Sequence, residues 1–93
     1  MMIQVNGEGG ESIVFDGVTV SKYLHDGKEQ AATNLATTYR ETRVTPKKAK
    51  AGEEQRYDVL IACGTIFSLT VPESETSKLA ELVAELERLT AGS

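Results

Sequence analysis

The stretch that decides the fold reads GTIFSLTVPESETSKLAELVAELERL and occupies residues 64–89. Its first part alternates polar and apolar residues, which predicts a half-buried strand with one apolar side (Phe67, Leu69, Val71). Its second part carries leucine and valine at helical spacing, which predicts a single apolar stripe (Leu79, Leu82, Val83, Leu86, Leu89). Pro72 suits a helix start, because it lacks the N–H that a first turn leaves unpaired. We therefore expect a strand that runs into an amphipathic helix over about residues 73–90.

Hairpins are predicted on the N-terminal side of this stretch. An almost continuous apolar run covers residues 57–63, and Gly64 after it favours a tight turn into the next strand. Asp16-Gly17 stands between the strand-like residues 13–15 and 18–20, which is a strong hairpin signal. Residues 3–5 fit a short edge strand, residues 25–28 a second turn, residues 7–11 a flexible connector and residues 45–54 an exposed basic loop.

Residues 28–44 fit two descriptions. Alanine, leucine and tyrosine recur there at helical spacing, whereas four threonines favour strand (Thr33, Thr37, Thr38, Thr42). We favour a short strand near 29–32 and a second strand over about 36–44; a helix would instead give a ββαββα order. The sequence thus predicts a single α+β domain over residues 1–93. It would be an antiparallel sheet, or a small barrel of hairpins, with one C-terminal amphipathic helix.

Composition limits the function classes. The chain has 93 residues and a formal net charge of −4, which argues against nucleic acid and against an anionic membrane as partners. The single cysteine excludes an internal disulfide and paired-cysteine metal sites, and it favours the cytoplasm. Neither a signal peptide nor a transmembrane segment is predicted. Cys63 and His25 could in principle form a nucleophile and base, but Cys63 ends an apolar run and is expected to be buried. We expect no enzyme activity and no cofactor.

Charge is distributed unevenly. Residues 40–50 hold five basic residues against the single acid Glu41, which indicates either a solvated loop or a docking surface for an acidic or phosphate-bearing partner (Arg40, Arg43, Lys47, Lys48, Lys50). The arginines are the stronger candidates, since a guanidinium grips a carboxylate at two points. On a regular strand, however, Arg40 and Arg43 would point to opposite faces.

The acids Glu81 and Glu85 on the outer side of the helix form a second candidate surface, for a basic partner. An intermolecular coiled coil is the alternative use of this helix, but its flanking charges are mostly Glu and would repel in a homodimer. We expect a monomer or a weak homodimer.

Two stretches resemble the pleckstrin-homology-like (PH-like) superfamily, in particular its small bacterial members. Ile13-Val14-Phe15-Asp16-Gly17-Val18-Thr19-Val20 is similar to the opening hairpin of those domains, and residues 64–73 with the following helix are similar to their last strand and capping helix. The resemblance implies a barrel with a binding or scaffold role and transfers no catalytic residue. A phosphoinositide site would need a basic first hairpin, whereas this one holds Asp16 and Asp26 with only Lys22 and Lys28.

The leading hypothesis from sequence is a non-enzymatic protein-interaction domain that acts in the cytoplasm on another protein. One alternative is a small inhibitor of the phage or mobile-element type, which would block a nucleic-acid-binding protein by acidic surface mimicry. Another is a barrel that binds a small ligand.

Overall fold

The computed structural model describes residues 2–25 and 27–91. These residues form seven strands, three short 3-10 turns and one α-helix. The strands are β1 (Ile3–Asn6), β2 (Ser12–Phe15), β3 (Thr19–Leu24), β4 (Glu29–Leu35), β5 (Tyr39–Pro46), β6 (Arg56–Cys63) and β7 (Thr65–Pro72), and the helix is α1 (Thr76–Ala91). The 3-10 turns are Glu8–Gly10, Ala36–Thr38 and Glu73–Glu75. The expectation of an α+β fold with one C-terminal amphipathic helix is confirmed.

The strands make two antiparallel sheets. Strands β1 to β4 form one sheet in chain order, and β5 to β7 form the other, also in chain order. Within each sheet, every strand therefore pairs with the strand next to it in the chain, whereas β4 and β5 belong to different sheets. The 3-10 turn Ala36–Thr38 carries the chain from the first sheet to the second.

The core is built from both sheets and the helix. Its buried side chains are almost all aliphatic or aromatic, and they come from β1, β2, β3, β5, β6, β7 and α1. Helix α1 contacts β1, β5 and the Ala36–Thr38 turn, so it covers the side where the two sheets meet. Three leucines of the predicted stripe are fully or almost fully buried, and its other two members pack against the core from the edge (Leu79, Leu82, Leu86; Val83, Leu89).

The first predicted hairpin is present, and its turn has an identifiable cause. The Asp16 Oδ1 accepts hydrogen bonds from the Val18 and Thr19 amides at 2.9 and 2.7 Å. Gly17 has φ = +100°, a value that glycine adopts without a steric penalty. The amide bonds also hold the pKa of the Asp16 carboxyl below its usual value, because they stabilise the ionised form.

Several predicted boundaries were wrong in detail. The helix begins at Thr76, after a 3-10 turn at Glu73–Glu75, rather than at about residue 73. In the ambiguous segment the strand description is correct, but the break falls at Ala36–Thr38 and not between 32 and 36. Strand β5 continues to Pro46, which shortens the basic loop to residues 47–55. A 3-10 turn at Glu8–Gly10 occupies part of the predicted connector.

One residue of the turn predicted at residues 25–28, Asp26, lies outside the described residues.

Candidate functional site

The three-stranded sheet has one covered face and one open face. Along β6, the covered face carries Val59, Ile61 and Cys63, each at most 1% exposed. The residues between them point the other way. Leu60 is 44% exposed and lies opposite Ser68 of β7, and Ala62 lies opposite Ile66, which is 65% exposed. The sheet therefore presents apolar side chains to solvent, on what we call the open face (Glu41, Arg43, Leu60, Ala62, Ile66).

Strand β5 adds charge to the open face. Arg43 pairs with Leu60, and Glu41 pairs with Ala62 in the sheet register. Their side chains are both well exposed, and the Arg43 guanidinium lies 3.6 Å from the Glu41 carboxylate. A shallow depression of about 210 Å³ lies among these side chains and Ile66. The apolar part of the open face is thus bordered by a long basic side chain, Arg43, and by an acid, Glu41.

Arg40 joins the same surface because of a β-bulge. The register of β5 against β6 shifts between Tyr39 and Glu41, so Arg40 is the extra residue. A second depression, of about 540 Å³, has Arg40, Ala62 and Ile66 in its lining. Ala62 and Ile66 border both depressions, so Arg40 and Arg43 flank one surface. The expectation that they point to opposite faces assumed a regular strand, and the bulge at Arg40 interrupts that alternation.

The three lysines occupy the turn beyond the strand. The Lys47 amide donates to the Arg56 carbonyl at 2.9 Å, and its ammonium lies 3.9 Å from the Asp58 carboxylate. The Gln55 side-chain amide donates to the Lys47 carbonyl at 2.7 Å, which fixes the base of the loop. Lys48 and Lys50 are exposed beyond this point. The structure therefore separates the five basic residues into two arginines on the open face and lysines at its far end.

The acids on the helix are partly engaged within the molecule. Glu85 accepts hydrogen bonds from the Arg88 guanidinium at 2.7 and 3.0 Å, whereas Glu81 is exposed. Both border a depression of about 380 Å³ that also contains Met2 and Ile3. Nearer the start of the helix, the Glu75 carboxylate accepts the Asn6 amide at 2.8 Å.

Two other acids, Glu73 and Glu8, are engaged by side chains at the start of β6. The Glu73 carboxylate accepts a hydrogen bond from the Tyr57 hydroxyl and raises the pKa of that phenol. The Glu8 carboxylate lies 2.6 Å from the Arg56 guanidinium and raises its pKa. These pairs join different segments of the fold, so they have a structural use.

Cys63 and His25 are held by different neighbours. Cys63 is buried, and its thiol donates to the Leu35 carbonyl at 3.5 Å beside the Thr38 hydroxyl. Burial raises the pKa of the thiol, and the Thr38 hydrogen bond opposes this only in part. His25 is exposed and lies 3.6 Å from Glu29. A thiol with a raised pKa and no imidazole among its hydrogen-bond partners is a poor nucleophile.

One structural residue was missed by sequence reasoning. The Asn34 side chain donates to the Cys63 carbonyl at 2.9 Å and to the Thr65 hydroxyl at 3.1 Å, which fastens β4 to the turn at Gly64. A Cβ at Gly64 would lie 2.9 Å from the Asn34 side chain, and Gly64 has φ = +78°. Gly64 was singled out as a turn residue, but no local pattern in the sequence relates it to Asn34.

The open face was also missed as a site, although half of its signal was available. The alternation of residues 65–71 already placed Ile66 on the solvent side with Ser68 and Thr70. A single exposed isoleucine is common, however, and gains meaning only beside a second apolar side chain on the same face. Leu60 gave no such signal, because it sits inside an almost continuous apolar run.

Comparison of the chain with known protein families, characterised proteins and solved structures gave no match. Within the described residues, no helix has the length and apolar character needed to cross a membrane. In the same part of the chain, His, Cys, Asp and Glu side chains form no cluster of three that could hold a metal ion.

Proposed function

We propose that this chain is a non-enzymatic protein-interaction domain whose open face docks an acidic segment of a partner protein. The observation that carries the proposal is the exposure of Leu60 and Ile66 on a sheet face flanked by Arg40 and Arg43. Apolar side chains with arginine beside them are typical of the centre of a protein interface, where Arg is enriched and Lys is depleted.

Each part of the open face would have a separate role in binding. Covering Leu60 and Ile66 would contribute affinity, because it removes apolar surface from water. The guanidinium groups of Arg40 and Arg43 would pair with carboxylates and so select an acidic partner. Glu41 lies 3.6 Å from Arg43 and would disfavour a partner acid placed directly against it. The preferred partner segment therefore has apolar residues at its centre and acids towards the Arg40 side.

The contacts of the helix acids favour the open face over the acidic helix as the main docking surface. Glu85 is paired with Arg88 and Glu75 with the Asn6 amide, so a basic partner would have to compete with both. The same contacts weigh against acidic mimicry of nucleic acid, which would need a continuous set of free carboxylates. Buried side chains occupy the space between the sheets, which supports a surface site over an interior ligand cavity.

The PH-like resemblance and the cytoplasmic location enter this proposal as well. The resemblance was drawn from strand hairpins that precede one closing helix, and the two meanders followed by α1 keep that order. A buried, unpaired Cys63 fits a reducing compartment. Both points support a binding or scaffold domain that works inside the cell.

The test uses a display library of random peptides, selected on the purified chain, with affinities of the recovered peptides measured by calorimetry. We expect selected peptides to combine apolar residues with Asp or Glu, and their binding to weaken as salt is added. The double variant Arg40→Glu/Arg43→Glu should lose at least about tenfold in affinity, and Leu60→Ser/Ile66→Ser should lose about as much.

The matched control is Glu81→Lys/Glu85→Lys, which changes the net charge by the same magnitude in the opposite direction, on the helix. This variant should keep the affinity of the parent chain within about twofold. Retention of the peptides by both open-face variants would overturn the proposal. If only the helix variant lost affinity for the peptides, the docking surface would lie on α1 and the partner would be basic.

A further inference from the structure

We propose that a second copy of this chain pairs along the free edge of β5, antiparallel and with Val44 on the two-fold axis. The proposal concerns the edge of the three-stranded sheet and not its open face, so it stands apart from the docking of an acidic partner. Strand β5 is the terminal strand of its sheet and is bonded to β6 on one side only. Its other side presents backbone N–H and C=O groups, which form a template for another strand.

The register of β5 on β6 decides which backbone groups point outward. The Lys47 amide donates to the carbonyl of Arg56, the residue opposite it. In an antiparallel pair, residues that bond their partner alternate with residues that do not. Thr45 and Arg43 therefore bond β6 as Lys47 does. The N–H and C=O groups of Thr42 and Val44 face the free edge.

The side chain of Val44 marks the centre of the pairing. It lies in the middle of the regular part of β5, between the bulge at Arg40 and the loop that follows Lys47. It is 47% exposed, although it faces the same way as the buried Val59 opposite it. A strand from a second copy would place the two Val44 side chains together and remove both from water.

Charges in this register are complementary. With Val44 on the axis, Glu41 lies opposite Lys47 of the second copy, and Arg43 lies opposite Thr45 of the second copy. The two-fold axis repeats each pair, so two acid–base pairs form within residues 41–47. The next position outward brings the like-charged Arg40 and Lys48 together, at the bulge and in the loop. Opposite charges directly across an antiparallel pair contribute favourably, whereas like charges oppose pairing. A strand edge with charged residues is usually protected against pairing, but here the acid Glu41 and the base Lys47 stand at equal distances from Val44 and so fit a second copy.

The other edge strands make contacts with neighbouring segments, and β5 itself is contacted by α1, although its residues 43–46 are exposed. At β7 the Lys22 ammonium donates to the Ser68 carbonyl, and Gly7 packs closely against Leu69 and the Thr70 carbonyl. At β1 the Asn6 amide is bonded to Glu75 of the 3-10 turn before the helix. Strand β4 is fastened to the Gly64 turn through the Asn34 side chain.

The dimer would be weak and would join the two open faces. Pro46 has no N–H, so the edge of residues 42–46 offers roughly four hydrogen bonds across the axis. A short strand pairing of this kind falls below the size of a stable interface, which predicts association that depends on protein concentration. The product is a six-stranded sheet in which both copies of Arg40 and Arg43 lie on one side.

The first experiment is sedimentation of the purified chain from about 10 µM to about 1 mM, with charge variants compared at each concentration. The parent chain should shift from monomer to dimer over this range. Glu41→Lys places lysine opposite Lys47 and should weaken association by at least about fivefold. Adding Lys47→Glu to that variant exchanges the signs and should restore association, which a change in folding alone would not do. A monomer throughout, or equal association of all three chains, would overturn the proposal.

The second experiment fixes the register by cysteine crosslinking in the oxidised protein. Residues that exchange hydrogen bonds across an antiparallel pair have Cα atoms about 5.5 Å apart, within the range that a disulfide spans. Val44→Cys should therefore crosslink into a dimer, while Thr42→Cys and, on the β4 edge, Leu35→Cys should not. The native Cys63 is buried and is present in every variant, so crosslinking of the parent chain gives the background level. Faster crosslinking of Thr42→Cys would refute the axis at Val44, and crosslinking of Leu35→Cys would refute the β5 edge.

Discussion

The covered and open faces of the three-stranded sheet are made from the same strands, and they differ in what lies over them. On β6, Ile61 is wholly buried while its neighbour Leu60 is 44% exposed. The two side chains are almost equal in size and hydrophobicity, so the type of side chain does not explain the difference in exposure. The covered face lies against the other sheet and α1, and the open face has no described element over it. The comparison teaches that an apolar residue in a strand contributes most to stability where another element covers it.

The strongest test of this comparison removes the cover. Leu82 and Leu86 of α1 are both fully buried. Leu82→Ala or Leu86→Ala should each lower the free energy of unfolding by about 2–5 kcal/mol, because the change leaves a cavity in the core. Denaturant unfolding measures this loss. Leu35→Ala is the matched control, since Leu35 is 55% exposed, and it should have little effect. Equal losses at Leu82 and Leu35 would mean that α1 does not cover the core.

A smaller loss of stability is expected at the Gly64 turn, which connects β6 and β7. Gly64→Ala forces alanine into φ = +78° and brings its Cβ within 2.9 Å of the Asn34 side chain. We expect a loss of about 1–3 kcal/mol by thermal or denaturant unfolding.

The control for the turn is Gly52→Ala, where φ is +86° and the space around the new Cβ is open. This variant carries the same backbone strain without the close contact, so it should be the milder of the two. If both glycine variants unfold alike, the fastening of β4 to the turn contributes nothing.

The smallest effect belongs to the open face itself. Leu60→Ala and Ile66→Ala should each change the free energy of unfolding by less than about 1 kcal/mol, because neither side chain is enclosed. Ile61→Val, on the covered face, removes only one methyl group and should cost about 0.5–1.5 kcal/mol. Truncating Leu60 or Ile66 to alanine on the open face should therefore cost no more stability than removing one methyl group from Ile61 on the covered face. A large loss at Leu60 would show that the open face is part of the core.

Much of the fold follows from local signals in the sequence. The Asp16-Gly17 hairpin, the Gly64 turn and the leucine stripe of α1 each depend on residues close together in the chain, and each is present. The break at Ala36–Thr38 was harder to place. Threonine favours strand, yet the Thr38 hydroxyl donates to the Leu35 carbonyl at 2.6 Å and supports a turn instead.

The candidate site was only partly predictable, because its geometry depends on pairing between distant segments. Arg40 and Arg43 were identified by charge, but the bulge that brings them to one surface exists only once β5 is paired with β6. Ile66 could be assigned to the solvent side from its own strand. Leu60 could not, since a continuous apolar run is also typical of a strand buried on both faces. Which face is left open is decided by where α1 and the first sheet pack.

The pairing of each strand with its neighbour in the chain has a consequence for how the molecule folds. Both meanders close over short connections, so each can form by steps that cost little chain entropy. The remote contacts, such as that of the Asn6 amide with Glu75, are made only when the first sheet meets the second sheet and its helix. We expect two quickly formed halves and a slower docking step. The turn at Ala36–Thr38 is then the natural place to divide the chain into fragments that reassemble.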